Sequence, residues 1–286
     1  MKLNSFNSLS GELNLGRERY FDEGLGTVYE RVMLNSFLDT LINSYQIKRV
    51  LEAPIYGMNG LTGINSVHFV NRGCKLIMID SKREKVREAI ELWNILPYKG
   101  RYEILYHDNL SKLPFRDGSF DLVWDFAALW HVREADLLLS EMARVSSNLL
   151  LIFVPNKIQI GYFLRKYLLD RNFFKFVNEK WINIKIVRSF IKSLGLKIEA
   201  EGVLDVPPWP DTCFPISRIL DKFGRSNEKV NSDKGRWRWD IMSYYSGKDL
   251  TLKQRVEKFS FIERLSIPWQ IKALWAHHRY LLFSKS

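Results

Sequence analysis

Short apolar runs alternate with segments of helical spacing across the first 155 residues, and this alternation restricts the fold more than any other feature. Arg49–Pro54, Lys75–Asp80, Tyr102–Tyr106, Phe120–Trp124 and Asn148–Val154 read as strands. Between them lie helical patterns over about Gly63–Asn71, Lys82–Leu92 and Ala135–Arg144, after a first amphipathic helix over residues 27–45. Such a succession predicts a parallel sheet covered by helices on both faces. A helix over Ile184–Leu194 ends at Gly195, a suitable C-cap. Leu196–Val203 and His278–Ser284 complete seven strands. The fold class is therefore α/β, a Rossmann-like, mostly parallel sheet with its last strand antiparallel.

Strands six and seven are too far apart in sequence for a simple connection. The expected organisation is one domain, residues 1–286. It has an N-terminal helical cap (1–46), a core (47–155), a lid segment (156–183), the rest of the core (184–204 and 278–285) and an inserted cap (205–277). Helical patterns near 250–265 and 268–277 lie within that insertion. The run Phe163–Phe176 mixes aromatic and basic residues at helical spacing. It reads either as an amphipathic interfacial helix or, with slight preference, as a lid over an apolar pocket.

Charge divides the chain in two. Residues 1–154 hold 18 basic and 19 acidic side chains, whereas residues 155–286 hold 25 basic and 13 acidic. Six of the nine tryptophans also lie in the second half. The formal charge of +11 would by itself suggest nucleic acid, an anionic membrane or an acidic ligand. Its location assigns it instead to the part that would choose an acceptor or dock. Trp237-Arg238-Trp239 can stack on bases or anchor at headgroups, but a cluster sealing the cap is the more ordinary role. Two cysteines, Cys74 and Cys213, form neither a disulfide framework nor a zinc site. No run approaches the ~18 apolar residues of a membrane span. Met1–Gly16 lacks the apolar core of a secretory signal. These features point to a soluble, cytoplasmic protein.

The order of polar features in the neutral half carries the chemistry. A loop with Gly57, Gly60 and Gly63 follows strand one, and Asp80 closes strand two, 20 residues beyond Gly60. In nucleotide-binding α/β folds, glycines let the backbone approach the ligand and such an acid accepts from ribose hydroxyls. His107-Asp108-Asn109 follows strand three. The segment from Leu113 to Val132, LPFRDGSFDLVWDFAALWHV, comes next.

That segment, in this order of features, resembles the class I S-adenosylmethionine-dependent methyltransferases, in particular their small-molecule "type 11" group. The likeness covers residues 48–155 well and 184–204 loosely. It implies S-adenosyl-L-methionine as cofactor and methylation as the activity. Glu52, with Ala53 and Pro54, would order the loop and the cofactor's amino-acid end. Gly57 and Gly60 would admit its methionine part. Asp80 and Ser81 would hold the ribose, Asp108 and Asn109 the adenine. Asp125 and Phe126 would line the floor near the sulfonium. The family's compact glycine motif is altered here: a proline follows Glu52-Ala53 where its first glycine belongs, and the loop is longer.

Methyl transfer needs in-line placement, and a base only when the nucleophile arrives protonated. His131, beyond strand four, can serve as that base or pin a helix start. Trp130 reads as pocket wall or as core. His107, His277 and His278 read as structural. No metal site is expected. No Asn/Asp-Pro-Pro-aromatic motif occupies 125–128, which disfavours DNA or exocyclic-amine RNA substrates. The expected acceptor is a small or lipid-like, acidic molecule. RNA as substrate, peripheral membrane contact and an inactive binding subunit are the alternatives.

Overall fold

The computed structural model describes residues 24–57, 61–98, 100–169, 172–209 and 239–285. Seven strands form one sheet: β1 Arg49–Glu52, β2 Lys75–Asp80, β3 Tyr102–Tyr106, β4 Phe120–Phe126, β5 Ser146–Pro155, β6 Lys197–Leu204 and β7 His278–Ser284. Their order is β3-β2-β1-β4-β5-β7-β6. Neighbours from β3 to β5 run parallel, and β7 is antiparallel to both β5 and β6. The expected mostly parallel sheet with an antiparallel last strand is thus found. The order reverses between β1 and β4, the point at which open α/β sheets bind ligands beyond their carboxyl ends.

Period-two alternation sorts the strand residues into two cores. Val50, Leu76, Met78, Leu122, Trp124 and Phe153 face one layer. It contains α1 (Gly24–Tyr45), α2 (Val67–Asn71) and α3 (Arg83–Trp93). Leu51, Ile79, Val123, Leu150 and Ile152 face the other, with α4 (Ala135–Val145) and α6 (Ile184–Ser193). In chain order α5 (Ile160–Leu164) falls between those two helices. Cys74 is buried with a free thiol, whereas Cys213 lies outside the described residues.

Three local expectations change. Residues 63–71 are a tight 3-10 turn (Ile64–Ser66) before α2, because Gly63 enters at φ 77. Phe163–Phe176 is not one helix. α5 widens into a π-helical turn over Arg165–Leu169, where Lys166 reaches Glu179 at 2.6 Å, and a separate turn spans Phe173–Lys175. Residues 250–277 hold three short helices: α8 (Leu252–Glu257), α9 (Phe261–Arg264) and α10 (Trp269–Lys272). Leu265, extended at ψ 134, ends α9, and Pro268 at ψ 137 precedes α10.

Just before them, α7 (Ile241–Tyr245) packs on α1. Asn35 and Tyr245 exchange side-chain hydrogen bonds of 2.9 and 3.0 Å there. Trp239 touches Phe259 edge-on, whereas Trp237 lies outside the described residues. No helix among the described residues is long and apolar enough to cross a membrane.

Candidate functional site

A cleft of about 260 Å³ opens at the carboxyl ends of β1, β2 and β3, beside the switch point. It brings together Pro54, Asp80, Ser81, Asp108, Asn109 and His131 from the residues expected to act. Lys82, Lys85 and Arg133 also line it. Glu52, Ala53, Gly57, Asp125 and Phe126 do not, and Gly60 lies outside the described residues.

Asp80 is held before any ligand arrives. Its Oδ1 accepts from the Lys82 amide at 2.8 Å and its Oδ2 from the Ile55 amide at 3.1 Å. Burial raises its pKa, opposed by Lys85, whose Nζ lies 3.8 Å from Oδ2. A carboxylate has about four lone-pair sites, so each oxygen keeps capacity for a hydroxyl donor. Asp108 and Asn109 are exposed at the rim, where Asn109 Oδ1 caps the Ser111 amide at 2.9 Å. His107 has the structural role expected, with Nε2 2.9 Å from the Lys112 carbonyl.

Glu52 and Asp125 sit beneath the cleft, fully buried. Glu52 accepts from the Tyr56 amide at 2.7 Å and from the Ser66 hydroxyl at 2.5 Å. Burial still pushes its pKa up to about 7. Asp125 accepts from the Ala128 amide at 3.2 Å and is raised well above the carboxylate range by burial, with Glu52 adding to the rise. Phe126 packs under the loop, its ring 5.0 Å from Tyr56 and 4.8 Å from His278. Glu52 thus orders the 53–57 loop from below. Gly57 faces inward: a Cβ there would meet Thr62 Oγ1 at 3.0 Å.

Two residues to which the sequence assigned no role in the site complete this floor. Gly63 closes the loop through a 2.7 Å hydrogen bond from its amide to the Tyr56 carbonyl. Lys85 bridges α3 to the loop, its Nζ 2.8 Å from the Ile55 carbonyl. A glycine in a glycine-rich loop was a visible signal for the first. Lys85 had none, since it reads as one charge on an exposed helix face.

His131 stands at the cleft's edge. Desolvation lowers its pKa to about 4, helped by the cations Lys85, Lys82 and Arg165. Its ring is therefore neutral at pH 7. Lys85→Met is expected to raise this pKa, read from the pH dependence of the His131 ring signals by NMR. An unmoved titration would show that Lys85 does not act on the ring.

A wider groove of about 520 Å³ begins where the cleft ends. The two share His131, Val132 and Arg133. Trp130, Lys175 and Phe176 add aromatic and cationic surface to the groove. Trp130 is itself buried, so it is both core and wall. His277, for which the sequence offered no partner, has one: its Nδ1 lies 2.8 Å from Asp205 Oδ2.

Residues 59–148 match the model of a family described as "Methyltransferase domain". No curated protein matches the sequence. Among solved structures, the fold is similar to magnesium protoporphyrin IX methyltransferase from Synechocystis PCC 6803, which was crystallised with S-adenosylhomocysteine. That likeness has 13% identity, covers 92% of this chain and 86% of the other, and has a TM-score of 0.53. It is also similar to a candidate sarcosine dimethylglycine methyltransferase from Galdieria sulphuraria (17% identity, 88% and 85% coverage, TM-score 0.51). The cleft is lined by two carboxylates at or just after strand ends, Asp80 and Asp108, and Asp80 retains lone pairs for hydroxyl donors. Residues 59–148 thus match a methyltransferase domain, within a fold shared with these solved methyltransferase structures.

Proposed function

We propose that the enzyme methylates a small or lipid-like acidic acceptor lying in the groove beside the cofactor cleft. One observation carries this reading: the groove adjoins the cleft through residues 131–133 and is lined by Arg133 and Lys175 together with Trp130 and Phe176. Cations suit a carboxylate or phosphate, and the rings suit an apolar body. On this reading residues 1–46, 156–183 and 205–277 build the acceptor side around a core formed by 47–155, 184–204 and 278–285.

The bound cofactor supplies a methyl activated on a positively charged sulfur. Asp80, with Ser81, holds the ribose hydroxyls, while Asp108 and Asn109 take the adenine edge. Glu52, through Tyr56, keeps the 53–57 loop in place, and Gly57 brings its backbone to the methionine part. Asp125 and Phe126 close the floor from beneath. His131 stays neutral and accepts a proton only weakly, given a pKa of about 4. An acceptor that arrives as an anion has no proton to give up, so this weak base matches an acidic acceptor.

Calorimetric titration with S-adenosylmethionine and S-adenosylhomocysteine tests the cleft. Asp80→Ala should weaken both at least tenfold, and unchanged affinity would remove the cleft assignment. Mass spectrometry on a panel of carboxylated and phosphorylated amphiphiles, neutral amines and RNA tests the groove. Methyl gain on RNA or amines alone would overturn the acidic-acceptor reading.

A further inference from the structure

We infer that the carboxyl end of β5, beside the amino end of β7, carries a docking surface for an anionic lipid bilayer. Eleven of the sixteen large apolar side chains exposed among the described residues fall in two short stretches, 158–176 and 261–274. Scattered single exposures need no explanation, whereas such a concentration marks an interaction surface. The two stretches meet. Asn156, just past β5, donates through Nδ2 to the Ala273 and Ala276 carbonyls at 2.6 and 2.7 Å. Ile158 and Ile160 leave this junction on one side, and Ile271 and Leu274 on the other, all exposed.

The 163–176 run bears directly on the choice of occupant. A lid closed over an apolar pocket would turn its large side chains inward. Tyr162 is indeed buried, but Phe163 is 48%, Tyr167 54% and Leu168 57% exposed. The run therefore has an inner face packed on the protein and an outer apolar face open to solvent, as an interfacial segment does.

Charge selects the lipid. The described residues of 156–180 hold five basic side chains against one acid, Glu179, which is paired with Lys166. Residues 258–274 hold Lys258, Arg264 and Lys272 against Glu263 alone. Glu263 is turned inward, its Oε1 accepting from the Val206 amide at 2.9 Å. An apolar surface ringed by cations is complementary to anionic headgroups over acyl chains. The inference goes beyond the acceptor reading, because docking requires neither cofactor nor acceptor.

The test uses the full chain without either. Sedimentation with phosphatidylglycerol/phosphatidylcholine vesicles should show binding that rises with the anionic fraction and falls with salt. The pairs Phe163→Ser/Leu168→Ser and Ile271→Ser/Leu274→Ser should each lower the partition coefficient at least tenfold. Lys157→Glu/Arg264→Glu, a pair of surface charges, should abolish the preference for anionic vesicles. Melting curves check that each variant is folded. No binding at millimolar anionic lipid would overturn the inference, as would equal binding to pure phosphatidylcholine or folded serine pairs that bind like the parent. A dimer in solution that the serine pairs dissolve, without vesicle binding, would assign the face to a second copy of the chain instead.

Discussion

Glu52→Gln is expected to stabilise the protein by about 3 kcal/mol at pH 8 and to leave stability unchanged near pH 4. Glu52 is buried and its pKa stands at about 7, against an ordinary value of 4.5. Between those two values the folded chain keeps a proton that the unfolded chain has lost. Stability therefore falls as pH rises through that window, and the loss is complete above 7. Glutamine keeps both hydrogen bonds, because its carbonyl accepts from the Tyr56 amide and its amino group donates to the Ser66 hydroxyl. It removes only the buried charge, which also relieves Asp125. The parent's own pH profile mixes signs, since the lowered pKa values of His68 and His131 favour higher pH below about 6.5. The difference between variant and parent isolates Glu52. Urea unfolding at pH 4 to 8 checks it, and a difference that stays flat with pH would contradict the assignment.

Gly63→Ala is expected to cost about 3 kcal/mol. The position has φ +77, which disfavours any side chain, and an added Cβ would lie 2.9 Å from Met78 Sδ and 3.3 Å from Trp93 Nε1. Met78 is the flexible neighbour, but Trp93 is fully buried and cannot give way. The strain falls on the bond that ties Gly63 to Tyr56, so cofactor affinity should drop along with stability. Gly57→Ala provides the comparison. Its backbone is not left-handed, and the atoms nearest its new Cβ belong to the Thr62 side chain. Denaturant midpoints for the two variants decide the matter: equal losses would show that the conformation of Gly63 is not what matters.

Most of the sheet was legible in the sequence because buried parallel strands are short apolar runs bounded by turn residues. Lys75–Asp80 and Tyr102–Tyr106 match β2 and β3 to the residue. The part of the site that sits on strand ends was legible for the same reason, since Asp80 and Asp108 follow from strand boundaries. Periodicity could not show how the 53–57 loop folds inward, because that depends on hydrogen bonds to Glu52 and Asp80 across the fold. Lys85 is invisible to a pattern argument, being defined by what its side chain reaches. The break at Arg165–Leu169 likewise depends on a partner, Glu179, that helical spacing does not encode.

The sheet order also has a consequence for synthesis. β6 pairs only with β7, and β7 fills the gap beside β5. Seventy-three residues separate β6 from β7. A nascent chain that has not yet delivered residues 278–284 has the cofactor strands in hand but leaves the open edge of β5, Leu149–Val154, unpaired. That edge is apolar throughout, and an unpaired apolar edge invites pairing with other chains. The protein should therefore depend on chaperone protection late in translation, after β1 to β4 have already formed.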